Sequence, residues 1–309
     1  RRYWRLIKDI VMENSKDLTM PARRDMLLMT AKGAAGLVAA TMLGGVSRSA
    51  LAAYSLAPTV TEGPFCLDSV ANNLLRSDIR TSSVTGKIAA GFPLVLTVTV
   101  SKLNANGTIS PINGAYVDIW HCDADGNYSG ETNMGAADLT AEDYLRGYQI
   151  TNARGAVKFI SIYPGWYTSR TTHIHVRIRT FSGSTAVYDQ ATQFFFDESL
   201  TEQIYTTISQ YLSHGLKDTA NATDSVFTGG SNQSATDGIT SDSGDHLMLT
   251  LANNGNYVTA SINLVIATSE GVASLSCPTV ADTSGSTSGG GTPPTGTPPT
   301  GTPPTRPGG

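Results

Sequence analysis

Hydrophobic and polar positions alternate with a period of two through most of the middle of the chain. The alternating segments are rich in β-branched residues and are separated by turns such as "NANG" and "PING". This pattern is typical of strands whose two faces meet different environments. It predicts seven strands, at 93–101, 115–122, 156–163, 173–180, 190–196, 246–251 and 257–266.

Only one segment has convincing helical periodicity. From Ser199 to Leu212, apolar residues recur four apart, with Ile204 and Ile208 on the predicted buried stripe. Many short strands with few helices favour an all-β fold, an antiparallel β-sandwich with one short helix and long loops. The patterned region, about 56–267, is long enough to bury a substantial core as one domain.

Residues 1–52 have the pattern of a cleaved export signal. Arg23 and Arg24 precede an apolar stretch at 33–46 that is rich in Gly and Ala, and Ala-Leu-Ala at 50–52 fits a cleavage site. The stretch is shorter than the ~20 residues that span a bilayer. Paired arginines before a weakly hydrophobic segment are typical of twin-arginine signals. We therefore expect an exported protein. The alternative is an ordinary secretory signal. Replacing both arginines with lysine should block export by the twin-arginine route, whereas unaffected secretion would contradict that route.

The other end of the chain has low complexity. Its repeated Gly-Thr-Pro-Pro units cannot bury apolar surface, so the sequence predicts an extended, disordered tail. The predicted organisation is an export signal at 1–52, a β-sandwich domain at 53–270 and a Ser/Gly/Thr/Pro-rich tail at 271–309.

The net charge changes once the predicted export signal, or leader, is removed. The leader holds nine of the 21 basic and four of the 25 acidic residues, leaving 12 basic and 21 acidic residues and a net charge of −9. An acidic chain without Lys/Arg clusters argues against nucleic acid or an anionic membrane as a partner. We also expect no stable membrane span in the mature chain.

Three cysteines, Cys66, Cys122 and Cys277, permit one disulfide in an exported protein. Because Cys277 lies beside the low-complexity tail, a Cys66–Cys122 bridge is one interpretation. Three free thiols are equally consistent with the sequence. The chain has no Cys-x-x-Cys motif, which argues against a thiolate zinc site.

The candidate chemistry begins with two of the five histidines. His173 and His175 lie at i and i+2 in a predicted strand, so they share one face. Tyr128 follows a turn after another predicted strand, and Tyr167 precedes His173 by six residues. A phenol has a pKa of about 10, so it ligates a metal as phenolate only where a strong Lewis acid such as ferric iron displaces its proton. Zinc and copper prefer His, Cys or carboxylate ligands.

The order of these residues resembles the iron signature of intradiol ring-cleavage dioxygenases. This family includes catechol 1,2-dioxygenase and protocatechuate 3,4-dioxygenase. The resemblance extends over about 58–200, and "TEGPF" at 61–65 with "LRSDI" at 75–79 is similar to the start of the catalytic domain in exported members. The signature consists of Trp120-x5-Gly126-x-Tyr128, Pro164-x-x-Tyr167 and Arg170-x-x-His173-x-His175.

The resemblance implies a β-sandwich that binds one non-haem Fe(III) per chain and cleaves catechol-type diols with O2 between the two hydroxyls, giving cis,cis-muconates. It implies an axial ligand pair, Tyr167 and His175, and an equatorial pair, Tyr128 and His173, with hydroxide as the fifth ligand. The other implied site residues are Arg170 (catalytic and substrate-binding), Gln193 (catalytic), and Gly63 and Pro64 (bordering the substrate pocket).

Several alternatives remain open at this stage. A secreted, non-catalytic β-sandwich binding module would need neither iron nor Arg170, and an enzyme with copper or zinc would need a different ligand set. Tyr163 is a nearby rival to Tyr167 as a ligand. Arg170 could be a surface ion-pair partner, and Gln193 could serve only in strand hydrogen bonding. The preferred substituted catechol and the oligomeric state stay open.

Overall fold

Nine strands in two sheets account for most of the regular structure in the computed structural model, which describes residues 56–132, 138–229, 243–267 and 277–278. The strands are β1 (Pro93–Leu103), β2 (Ile109–Pro111), β3 (Tyr116–Trp120), β4 (Arg146–Ile150), β5 (Ala156–Ile162), β6 (His173–Ser182), β7 (Thr185–Phe195), β8 (Thr250–Asn253) and β9 (Val258–Ile266). The helices are α1 (Glu198–Thr207) and two 3₁₀ turns, Asn221–Thr223 and Ser243–Leu247.

The two sheets have different pairing. In the first sheet the order is β2-β1-β9-β8, and β5 also pairs with β1. In the second sheet the order is β4-β3-β6-β7, and every pair is antiparallel. The predicted all-β sandwich is confirmed, with one addition: β1 and β9 are parallel. Alternation along a strand is the same in both kinds of pair, so the sequence pattern could not reveal this.

Strand β6 shows how alternation separates the core from the candidate site. Ile174, Val176 and Ile178 belong to the core cluster that both sheets share, and each is at most 2% exposed. Burying an aliphatic side chain of this size contributes about 1.5–3 kcal/mol. The intervening His173 and His175 lie on the other face of β6, as the alternation predicts.

Ion pairs of a partly buried carboxylate, Asp68, attach the segment before β1 to the second sheet. Arg177 of β6 donates two hydrogen bonds of 2.7 Å to Asp189 of β7. Asp68, from the preceding segment, lies 3.5 Å from Arg177 and 3.2 Å from Arg179. The contacts of Asp68 hold the end of the segment 61–68 against the face of β6 that also carries the two histidines.

The predicted helix is shorter than its periodicity suggested. It ends at Thr207, and Ile208 is extended. The hydroxyls of Thr206 and Thr207 donate to backbone carbonyls one turn earlier and so compete with the backbone N–H groups of the helix, which makes such residues poor helix formers. Leu212, the last residue of the predicted helix, is 54% exposed.

One predicted strand needs correction, and two strands of the structure, β2 and β4, were not predicted. The segment 246–251 is divided between a 3₁₀ turn that ends at Leu247 and β8, which begins at Thr250. Strand β4 was missed because its sequence, RGYQI, does not alternate: Arg146 is buried, and its guanidinium donates to the carbonyls of Ser129 and Phe65.

Both cysteine interpretations are wrong. The disulfide joins Cys66 to Cys277, and Cys122 is a buried free thiol. The chain beside Cys277 is held in place because the backbone N–H of Asp68 donates to the carbonyl of Pro278 at 3.0 Å. Closeness to a low-complexity tail therefore did not keep Cys277 out of the folded domain.

The predicted export signal and most of the predicted tail lie outside the described residues, and the domain boundaries at 52 and 270 stay predictions. Within the described part of the chain, no helix is long and apolar enough to cross a membrane.

Candidate active site

The four predicted metal ligands converge in the structure. The Nε2 atoms of His173 and His175 are 3.0 Å apart. The hydroxyl of Tyr167 lies 3.2 Å from Nε2 of His173, and the hydroxyls of Tyr128 and Tyr167 interact with each other. Residues from three separate parts of the chain thus place two ring nitrogens and two phenol oxygens in one cluster.

The imidazoles are held neutral. Nδ1 of His173 lies 2.6 Å from the carbonyl of Thr171, so it carries the proton and its Nε2 offers a lone pair to the cluster. Burial lowers the pKa of both His173 and His175 well below the usual range, and the Arg170 guanidinium lowers it further. Neutral imidazole is the form that ligates metals.

Without a bound cation, the phenols of Tyr128 and Tyr167 stay protonated at neutral pH because their pKa values are raised. Burial raises the pKa of the Tyr167 phenol to about 12, although the Arg170 guanidinium acts in the opposite direction. Burial, followed by the neighbouring Tyr167, raises the pKa of Tyr128 well above its usual range. Only a strong electrophile would make either residue a phenolate at neutral pH.

Packing fixes the orientation of His175. Its ring stacks on Trp120, the residue opposite it on β3, with ring centroids 5.2 Å apart and an angle of 5° between the planes. On another side lies Gly63, with φ of +70°. A Cβ atom at Gly63 would lie 2.9 Å from Cε1 of His175, so glycine is required there both for the turn and for space. Pro64 follows and is exposed.

Arg170 lies beside the cluster and is not a surface ion-pair partner. Its Nη1 is 3.4 Å from the hydroxyl of Tyr167, and its Nη2 donates to Oε1 of Gln193. Gln193, on β7 opposite His175, donates in turn to the carbonyl of Thr61 at 2.9 Å. The structure therefore brings both predicted polar residues to the same place as the ligand candidates.

Tyr163, the rival ligand, and the buried His121 both form hydrogen bonds outside the cluster. The Tyr163 hydroxyl bonds to Thr201 of α1 at 2.8 Å, which separates it from the cluster. Nδ1 and Nε2 of His121 lie within hydrogen-bond distance of the Cys122 carbonyl and the Ser161 hydroxyl, respectively. Across the described residues, no group of three or more His, Cys, Asp or Glu side chains is placed to hold a metal ion.

Comparison with known proteins agrees with this arrangement. A family model described as Dioxygenase matches residues 77–228, whereas a search of curated proteins finds no match. An intradiol ring-cleavage dioxygenase from Tetranychus urticae of known structure is 28% identical over 72% of this chain and 98% of its own, with a TM-score of 0.55. A second dioxygenase of known structure is 30% identical over 71% of this chain and 97% of its own, with a TM-score of 0.54. The chain belongs to the intradiol ring-cleavage dioxygenase family.

As a member of this family, the dioxygenase is an oxidoreductase, and its structure adds residues that the sequence motifs did not single out. Phe65 stacks on Tyr128 with centroids 4.5 Å apart and meets Tyr167 edge-on at 6.1 Å. Asp224 bonds to Nε of Arg170 at 2.9 Å. Phe65 lies within the "TEGPF" segment, so the resemblance of that segment could have indicated it as a site residue. Asp224 lies 54 residues from Arg170 along the chain, and no spacing pattern connects the two.

Proposed function

We propose that this dioxygenase binds one ferric ion through Tyr128, Tyr167, His173 and His175. With O2, it cleaves a catechol-type diol between the two hydroxyl-bearing carbons to give a cis,cis-muconate. The observation that carries the proposal is the buried convergence of two imidazole nitrogens and two phenol oxygens, with a guanidinium beside them.

The donor set fits a ferric ion. Two neutral imidazoles contribute no charge, whereas two phenolates and a hydroxide would balance the three positive charges of Fe(III). Burial opposes ionisation of Tyr128 and Tyr167, so the ion that binds here must be a strong Lewis acid. When bound, iron would supply that Lewis acidity and a binding position for the diol.

The protein's own residues have separate tasks. Oη of Tyr167 is the atom that we expect to receive one of the two diol protons, because burial raises the pKa of this phenol to about 12 and so makes its phenolate a strong base. Arg170 supplies a fixed positive charge where negative charge develops on the ring. Trp120 and Gly63 keep His175 in position.

The site chemistry argues against cleavage beside the diol. Enzymes of that kind typically use Fe(II) held by two histidines and one carboxylate. Among the residues that the structure describes, no Asp or Glu joins His173 and His175 in such a group. A non-catalytic binding module would not need two imidazole nitrogens and two phenol oxygens converging in one cluster beside the Arg170 guanidinium.

Metal analysis tests the proposal. The purified protein is expected to hold about one iron per chain and to be red-brown from phenolate-to-Fe(III) charge transfer. Replacing Tyr128 with phenylalanine should shift or weaken this absorption band. The control is Tyr163→Phe, a buried tyrosine whose hydroxyl bonds to α1, and it should leave the band unchanged. A protein that stays colourless when iron is supplied, or that binds zinc or copper instead, would refute the assignment.

A further inference from the structure

Arg170 is held on the side away from the cluster by Asp224, a carboxylate that is 0% exposed. We infer that Asp224 is a positioning residue, which aims the Arg170 guanidinium at the reacting diol. The inference rests on the proposed function, because it assigns Asp224 a part in the reaction at that same site.

Asp224 is a rigid anchor. Its Oδ1 accepts from the backbone N–H groups of Val226 and Phe227, at 2.7 and 3.2 Å. Its Oδ2 accepts from the backbone N–H of Thr171 at 2.8 Å and from Nε of Arg170 at 2.9 Å. With four donors on its two oxygens, the carboxylate has a single well-defined orientation.

The bond from Thr171 links the anchor to the strand that carries the ligands. Thr171 follows Arg170 directly, and its carbonyl accepts from Nδ1 of His173. Asp224 therefore bonds to the main chain that follows Arg170 as well as to the guanidinium of Arg170. Its own backbone N–H ends the preceding 3₁₀ turn by donating to the carbonyl of Ala220 at 3.0 Å.

The guanidinium is held at two of its three nitrogens. Nε is bonded to Asp224 and Nη2 to Gln193, so Nη1 is left to face the hydroxyl of Tyr167. A guanidinium is planar, so two anchors in its plane fix its direction as well as its position. An arginine with only one anchor would have to be ordered during the reaction, at a cost in transition-state stabilisation.

Asp224→Asn tests this inference. The amide oxygen can still accept from Val226 and Phe227, whereas the amide nitrogen cannot accept from Nε of Arg170 or from the backbone N–H of Thr171. We expect kcat/KM for catechol to fall about 10–100-fold, which is the usual effect of losing a group that orients a functional residue. The charge-transfer band should be retained.

The matched control is Asp189→Asn. Asp189 is also a buried partner of an arginine, with two hydrogen bonds of 2.7 Å to Arg177, but it lies away from the cluster. It should reduce thermal stability without the fall in kcat/KM that Asp224→Asn produces. Equal falls in both variants would show that general destabilisation is the cause, and would overturn the inference.

A double-mutant cycle distinguishes positioning from a structural role. If Asp224 acts through Arg170, adding Asp224→Asn to Arg170→Ala should cause no further loss of kcat/KM. If the two losses multiply, Asp224 acts independently of Arg170 and the inference is wrong.

A readout that needs no turnover separates this inference from the proposed function. In metal-free protein, NMR should show the Nε–H proton of Arg170 protected from solvent exchange, with a scalar coupling across the hydrogen bond to the Asp224 carboxyl carbon. Protection should be lost in Asp224→Asn and kept in Asp189→Asn. A freely exchanging wild-type Nε–H would overturn the role of Asp224, even if Asp224→Asn does not fold. Protected Nε–H in a protein that cleaves no catechol would refute the proposed function alone.

Discussion

Replacing Arg170 with alanine is expected to lower kcat for catechol cleavage by about 10²–10³-fold, the usual cost of deleting one preorganised electrostatic partner. The guanidinium lies 3.4 Å from the Tyr167 hydroxyl and is not a ligand candidate, so iron content and colour should be unchanged. Steady-state kinetics with catechol, combined with iron analysis of the same preparation, measures both quantities.

Arg170→Lys is the informative companion variant. Lysine keeps the positive charge but lacks the planar fork that bonds to Asp224 and Gln193. Its activity should fall between those of the wild type and Arg170→Ala. If Arg170→Ala retains full activity, the residue is structural and its assigned role is wrong. If it loses iron, the residue supports the ligands instead.

Removing the Cys66–Cys277 disulfide is expected to lower the free energy of unfolding by about 2–5 kcal/mol. The bridge closes a loop across a sequence separation of 211 residues, so its loss frees a large part of the unfolded chain. The paired variant Cys66→Ser/Cys277→Ser, followed by urea denaturation, measures the effect.

The free thiol supplies the control for this experiment. Cys122 is a buried free thiol, so among the three cysteines a reductant acts only on the Cys66–Cys277 bridge. Treating the wild type with a reductant should therefore reproduce the instability of the paired variant. The same reductant should leave the paired variant unchanged. An identical urea midpoint for oxidised and reduced wild type would contradict a stabilising bridge.

The sequence predicted the sandwich well because alternation reports directly which strand face is buried. In β6, isoleucine and valine alternate with polar residues, and the core lies on the isoleucine and valine face. The alternation pattern failed at β4, where Arg146 is buried because its guanidinium donates to the carbonyls of Ser129 and Phe65. These carbonyls come close to Arg146 only in the folded chain. The sequence pattern also failed at the end of α1, where threonine hydroxyls compete for helix carbonyls.

The convergence of the candidate site residues was predictable to the extent that they lie in short motifs. Tyr167, Arg170, His173 and His175 occupy nine residues of sequence, and the fold brings Tyr128 to them. Motif spacing could not predict that Asp224 bonds to Arg170, because the two residues lie 54 positions apart in the sequence. The disulfide partner of Cys66 was hidden for the same reason, since Cys277 follows the last strand.

The product formed from catechol tests the central claim most directly. Iron-loaded protein is incubated with catechol and O2, and the product is identified by chromatography and mass spectrometry. Two phenols and two imidazoles in one buried cluster favour a ferric site, and ring opening between the hydroxyls should therefore yield cis,cis-muconate. A muconic semialdehyde, formed by cleavage beside the diol, would contradict the two-tyrosine ferric site.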